Sequence, residues 1–216
     1  MSNLILASQL LDKLDLEGAI AAVGKDYVLN PHDPASYLNL GMIFVASRMP
    51  SQAIRVLNAG LKLQPSNASL LAYRGEAYSL LRKFNQAEKD YAASLSLESL
   101  NLAALFGLGK LRIDQEAYGE AVQFFTQILE MHGGIPQVYA ERAYALTMQG
   151  NLEAAINDCT SALHIQPNFV VALTSRASLY ELTGQMENAE QDVEFLRSLE
   201  HGAELVEHIT RKTREE

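Results

Sequence analysis

Small residues recur along this chain at one fixed interval, and that interval restricts the fold more than any other feature. Gly41, Gly75, Gly109, Ala143 and Ala177 stand 34 residues apart, and Ala19, Ala53, Ala87, Ala121, Ala155 and Ala189 repeat the same step without a break. Pro31, Pro65 and Pro167 lie on a third register of that period, with Ser99 and Gly133 in the two slots between. Three registers agreeing on one period mark a single unit copied repeatedly. Small side chains belong where backbones approach closely, because a larger one would push them apart. A proline after a helix cannot extend it and fixes the turn.

The spacing resembles the tetratricopeptide repeat, a helix-turn-helix unit of 34 residues. The resemblance covers nearly the whole chain and implies an all-α fold, a right-handed α-α superhelix of six units. The first, residues 1–33, is degenerate, with Leu4, Leu6, Leu10, Leu11 and Leu14 on one helix and Leu16, Ala19, Ile20 and Val23 on the next. Better units are expected at 34–67, 68–101, 102–135, 136–169 and 170–203, followed by a capping helix and frayed tail over 204–216. Each first helix is expected to end at a polar or glycine turn, beginning at Arg48, Arg82, Glu116, Gly150 and Gly184. Pro50 departs from the family pattern but suits a helix start, as does Pro136. The second helices are expected to turn two registers inward: Leu57, Tyr91, Phe125, Cys159 and Val193, and Leu63, Leu97, Met131, Ile165 and Leu199. Gly133-Gly134 reads either as a longer turn or as a hinge between the first four units and the last two.

Composition narrows the function classes. A content of 48% hydrophobic and 20% charged residues is that of a globular chain. The formal net charge of -9 argues against nucleic-acid or anionic-membrane binding, which draws on a basic face. Ten acidic and four basic residues fall between Glu181 and Glu216. The N-terminus shows no basic segment ahead of its apolar residues, no apolar run reaches membrane-spanning length, and Cys159 stands alone, so membrane insertion is not expected and the cytoplasm is the simplest compartment.

Residues that could carry chemistry have plainer readings beside them. Cys159 lies in an inward register and reads as a small hydrophobe rather than a nucleophile. His201, Glu204 and His208 share a helical spacing without matching a zinc pattern. His32, His132 and His164 sit near second-helix ends, and Asn67-Ala68-Ser69 is a glycosylation sequon without a secretory context. Neither a phosphate loop nor a nucleophile elbow is present, so a non-catalytic protein without cofactor or metal is expected.

The resemblance implies that the first helices line a concave groove. The lining read from the frame comprises 25 positions, of which 15 are apolar and four charged. Leu38, Met42 and Val45 form one apolar strip, Phe106, Tyr144 and Met148 a second, and Glu76 and Lys110 bring charge. The places of the family's carboxylate clamp for Hsp70 or Hsp90 tails carry Leu38, Met42, Tyr73, Ala103 and Gly107, which offer a carboxylate no cation. An apolar floor suits a peptide that inserts aliphatic side chains, unless these residues pack against the neighbouring unit or under the chain's own first helix. Arg74, Arg142 and Arg176 read either as a guanidinium ladder for an acidic ligand or as stems packed with heads paired to acids such as Glu76 or Glu141. The expected function is a scaffold or adaptor binding a protein or peptide partner. Its alternatives are a secretion or assembly chaperone masking a hydrophobic segment and a self-assembling homo-oligomer.

Overall fold

The computed structural model describes residues 33–199, which fold into helices joined by short turns, without a strand among them. In order these are α1 (Pro34–Ala46), α2 (Pro50–Leu63), α3 (Ala68–Leu80), α4 (Phe84–Leu97), α5 (Leu102–Asp114), α6 (Tyr118–His132), α7 (Pro136–Met148), α8 (Leu152–Ile165), α9 (Val170–Leu182) and α10 (Met186–Ser198). Residues 1–32 and 200–216, which hold most of the degenerate first unit and the expected capping helix, lie outside the described residues. Two compact units divide the chain between Leu111 and Arg112, inside α5. The division therefore does not fall at Gly133-Gly134, where α6 and α7 pack together within unit 2 across an ordinary turn.

Helix ends follow local chemistry. Pro34, Pro50 and Pro136 open α1, α2 and α7, where a missing N–H leaves no bond unmade. Side chains cap the odd-numbered helices of unit 1: the Ala35 N–H donates to Asp33 Oδ1 at 3.0 Å and the Leu70 N–H to Asn67 Oδ1 at 2.9 Å. Asn101 does the same for α5, accepting from the Ala104 N–H at 3.1 Å. Ile135 and Phe169 stand at the corresponding places before α7 and α9 and provide no side-chain cap. Within each hairpin the turn needs one residue in the left-handed region, and the same register supplies it every time: Arg48 (φ 56), Arg82 (φ 56), Glu116 (φ 60), Gly150 (φ 80) and Gly184 (φ 75).

The small-residue registers lie in the seams between helices. Gly41, Gly75, Gly109, Ala143 and Ala177 are buried, as are Ala53, Ala87, Ala121, Ala155 and Ala189. In unit 1 a Cβ added to Gly41 would fall on the Leu57 side chain, and one added to Gly75 would lie 2.8 Å from the Tyr91 ring. Gly107 faces the same ring and likewise leaves no room for a methyl group. Tyr91, buried sixteen residues from each, is thus accommodated by a glycine on either side. Unit 1 closes around a core of Tyr37, Leu40, Ile43, Val56, Leu57 and Leu70, and unit 2 around Ile156, Cys159, Leu163, Leu173, Leu179 and Leu196.

The first inward register of the second helices is buried at Leu57, Tyr91, Phe125 and Cys159 and half-buried at Val193. The second is a correction: Leu63, Leu97 and Ile165 are exposed. Six residues beyond Leu57, Leu63 has turned about 240° around the helix and left the packed side, which Leu61 occupies instead.

Candidate functional site

In each unit the odd-numbered helices crowd together: α1 packs on α3 and α7 on α9, and among the described residues no comparable packing joins α2 to α4 or α8 to α10. These first helices form the more crowded layer of each unit. One residue past the seam positions, about 100° around each odd-numbered helix, stands the register Met42, Glu76, Lys110, Tyr144 and Ser178. Its members point away from the seam and are exposed or half-buried.

In unit 1 this face mixes charge with apolar surface. Met42 is 37% exposed, and the Lys110 Nζ lies over the Phe106 ring, 5.9 Å from its centroid. Glu76 is half-buried, and burial raises its carboxyl above the ordinary range while Lys110 and Arg48 pull it down. Arg48 was read from the sequence only as a turn residue; its guanidinium also lies in the field of Glu76. In unit 2 the face is largely uncharged. Tyr144 and Met148, one turn apart on α7, are 49% and 48% exposed, and Leu182 on α9 is 68% exposed.

The strip Leu38-Met42-Val45 is not a continuous surface. Val45 is only 6% exposed, because it follows Gly41 by one turn and shares the side of α1 that packs in the core. Leu38 is half-buried and packs against the same cluster, and Ala72 and Ala140, on the same 34-residue register, are buried. Of the expected groove residues, unit 1 contributes Met42, Glu76, Phe106 and Lys110 to its accessible face, and unit 2 contributes Tyr144 and Met148.

The three arginines hold the stack together. Arg142 donates from Nε and Nη2 to the two carboxylate oxygens of Asp158 at 2.8 and 2.7 Å, and from Nη1 to Thr126 Oγ1 at 3.0 Å. Arg176 repeats the pattern with Asp192 and Thr160, and Arg74 with Asp90 and Asn58. Each guanidinium thereby joins its own helix to the second helices before and after it. The acids are not Glu76 or Glu141 but residues sixteen positions on. They were legible in the same frame, since Asp90, Asp158 and Asp192 lie on one 34-residue register. With their donors aimed at these partners, the arginines form no ladder for a ligand.

Cys159 is fully buried, and burial first, then the Asp158 charge, pushes its thiol up to about 12, which removes it as a nucleophile near neutral pH. Among the described residues no grouping of His, Cys, Asp and Glu could hold a metal, and no helix is long and apolar enough to cross a membrane. His201, Glu204 and His208 lie outside the described residues. Asn67, the sequon residue, is engaged as a helix cap and donates to Gln64 Oε1 at 3.0 Å.

A family profile described as "Tetratricopeptide repeat" matches residues 81–136, from the turn at Arg82 through α4, α5 and α6 to the start of α7. Over those residues the chain carries the tetratricopeptide repeat. Its fold is the all-α superhelical fold of that family. Among curated tetratricopeptide relatives, "DnaJ homolog subfamily C member 7 homolog" of Dictyostelium discoideum is 26% identical over 174 residues, 73% of this chain and 32% of that protein. The chain thus spans about a third of that relative's length. Among solved structures, pilF of Pseudomonas aeruginosa superposes with a TM-score of 0.73 at 16% identity, covering 97% of this chain and 96% of that one. YrrB, described as a TPR protein with an unusual peptide-binding site, gives 0.63 at 17% identity over 88% of this chain and 98% of its own. Tetratricopeptide proteins act in protein–protein interaction, and the repeat scaffold is generally non-catalytic.

Proposed function

We propose that this protein is a non-catalytic scaffold or adaptor that holds a segment of a partner protein against the exposed face of its odd-numbered helices. The repeat frame 34–67, 68–101, 102–135, 136–169 and 170–203 sets the spacing of that face. The observation that carries the reading is the exposure of Met42, Tyr144 and Met148 on helices whose other sides are buried in well-packed seams. Flexible methionines and a tyrosine are side chains that repack around aliphatic and aromatic groups of a peptide. Charge at Glu76, Lys110 and Arg48 gives unit 1 a means of orienting a segment that unit 2 lacks. YrrB offers a precedent for peptide binding on this fold. The buried lone cysteine accords with a cytoplasmic setting.

A chaperone that masks a hydrophobic client is the second reading, favoured by exposed Val171 and Leu182 beside the Tyr144 face in unit 2. Both readings are tested by comparing proteins recovered from a source-cell lysate by the wild type and by a folded double variant, Met42→Glu with Tyr144→Glu. Leu38 is left unchanged because it belongs to the core. A partner lost with the double variant supports the face as its site; unchanged recovery of the same partners rejects it. A recovered partner whose binding segment is uniformly apolar favours the chaperone.

A further inference from the structure

Charge is divided unequally between the two units. Over the full sequence unit 1 (1–111) has ten basic and nine acidic side chains and unit 2 (112–216) seven basic and seventeen acidic, so a net +1 shares a chain with a net -10. Internal pairing sharpens the contrast. Arg112, Arg142 and Arg176, three of the four described basic residues of unit 2, are in ion pairs with acids of the same unit. In unit 1 Arg74 is paired with Asp90, and the other seven described basic side chains are all exposed.

The two surpluses are also localised. Arg48 and Arg82 share the hairpin-turn register of unit 1, Lys83 follows directly, and Arg55 and Lys89 share a register on α2 and α4. In unit 2, Glu187, Glu190 and Glu194 are exposed and, three and four residues apart, lie along one side of α10. Exposed Met186 and Phe195 adjoin them.

We propose that the basic turn edge of unit 1 in one copy docks on the acidic face of α10 in a second copy. A second copy is the occupant because the exposed basic side chains at the turn edge of unit 1 and the exposed acidic side chains along α10 are complementary and belong to the same chain. A nucleic acid drawn to the basic edge of unit 1 would meet the net -10 carried by unit 2 of the same chain. Surface charge alone steers association and holds it weakly. Met186 and Phe195 supply apolar contact that such a surface needs. Two different surfaces meet, so the contact is heterologous and extends to short head-to-tail chains instead of closing as a symmetric dimer.

Sedimentation velocity of the full chain tests this. At low ionic strength, about 50 mM salt, the mass is expected to rise with protein concentration, and at about 500 mM the association should weaken about tenfold as screening shortens the reach of surface charge. One variant carries Glu187→Lys, Glu190→Lys and Glu194→Lys; a second carries Arg82→Glu and Lys83→Glu. Each alone should remain monomeric, whereas an equimolar mixture should associate, since each supplies the surface the other has lost. These are surface substitutions, and unchanged circular dichroism and melting are required of both variants. A wild type that stays monomeric at every concentration, association indifferent to salt, or variants that associate alone as the wild type does would each overturn the proposal. So would a monomeric wild type that binds a short single-stranded DNA through Arg82 and Lys83.

Discussion

The α1–α2 hairpin of unit 1 and the α7–α8 hairpin of unit 2 occupy the same frame but close it with opposite chemistry. In the first, Leu40 and Val56, sixteen residues apart, are buried beside Gly41 and Leu57. In the second, the same two registers hold the Arg142–Asp158 ion pair, beside Ala143 and Cys159. One seam is apolar with the volume placed on the second helix; the other is charged, with a larger small residue facing a smaller partner. The repeat thus fixes where two helices touch, and leaves open whether attraction comes from burial or from a bidentate pair. Unit 1 also carries the extreme case, Tyr91 between Gly75 and Gly107.

The largest expected effect comes from breaking the charged seam. Asp158→Ala leaves the Arg142 guanidinium enclosed without its carboxylate and should cost about 3 kcal/mol in urea unfolding. Importing the unit 1 pair, Arg142→Leu with Asp158→Val, should recover most of that loss, because a matched apolar pair replaces a desolvated ionic one at little net cost. A double variant as unstable as the single one would show that the two seams are not interchangeable.

Overpacking the glycine sandwich ranks second. Gly107→Ala should lower stability by about 2 kcal/mol, and considerably less in a Tyr91→Cys background, where the ring that meets the new methyl is gone. Additive losses would separate Gly107 from the Tyr91 ring. Third are the turns, where unit 1 uses arginines and the last two hairpins glycines in one left-handed register. Arg82→Gly should gain about 1 kcal/mol and Gly150→Ala lose a similar amount.

The smallest effect is a pH dependence. Because burial raises the folded-state carboxyl of Glu76, the native protein holds that proton more tightly than the unfolded chain does. Stability from this group therefore falls as pH rises from the ordinary carboxylate range through the raised value, and levels off above it. Glu76→Gln lacks this loss, so its melting temperature relative to the wild type should be higher at pH 7 than at pH 4. A difference that stays constant over that range would assign Glu76 no shift.

Much of this was legible in the sequence, for physical reasons. Among the described residues the spacing of glycines and alanines located the seams, since close approach tolerates few side chains, and the turn residues announced each hairpin. What the frame could not supply was the side of the helix that a given residue faces. Val45 and Leu63 are apolar and correctly placed on helices, yet one is core and the other surface, because a single residue turns the side chain by about 100°. The arginine partners were missed for a different reason. Glu76 and Glu141 are near in sequence, but the carboxylates that fit a bidentate fork belong to the facing helix, at Asp90, Asp158 and Asp192. Tyr144 and Met148, read from the frame as lining, are exposed.

The most direct test of the interaction face is site-specific photo-crosslinking in source cells. A crosslinking phenylalanine analogue is placed at Tyr144 and, separately, at Lys89, which is exposed on the second helix α4. Adducts to a partner protein at Tyr144, and none to that partner at Lys89, are the expected result. Adducts to the same partner at Lys89 alone would place recognition on the second helices and contradict the account.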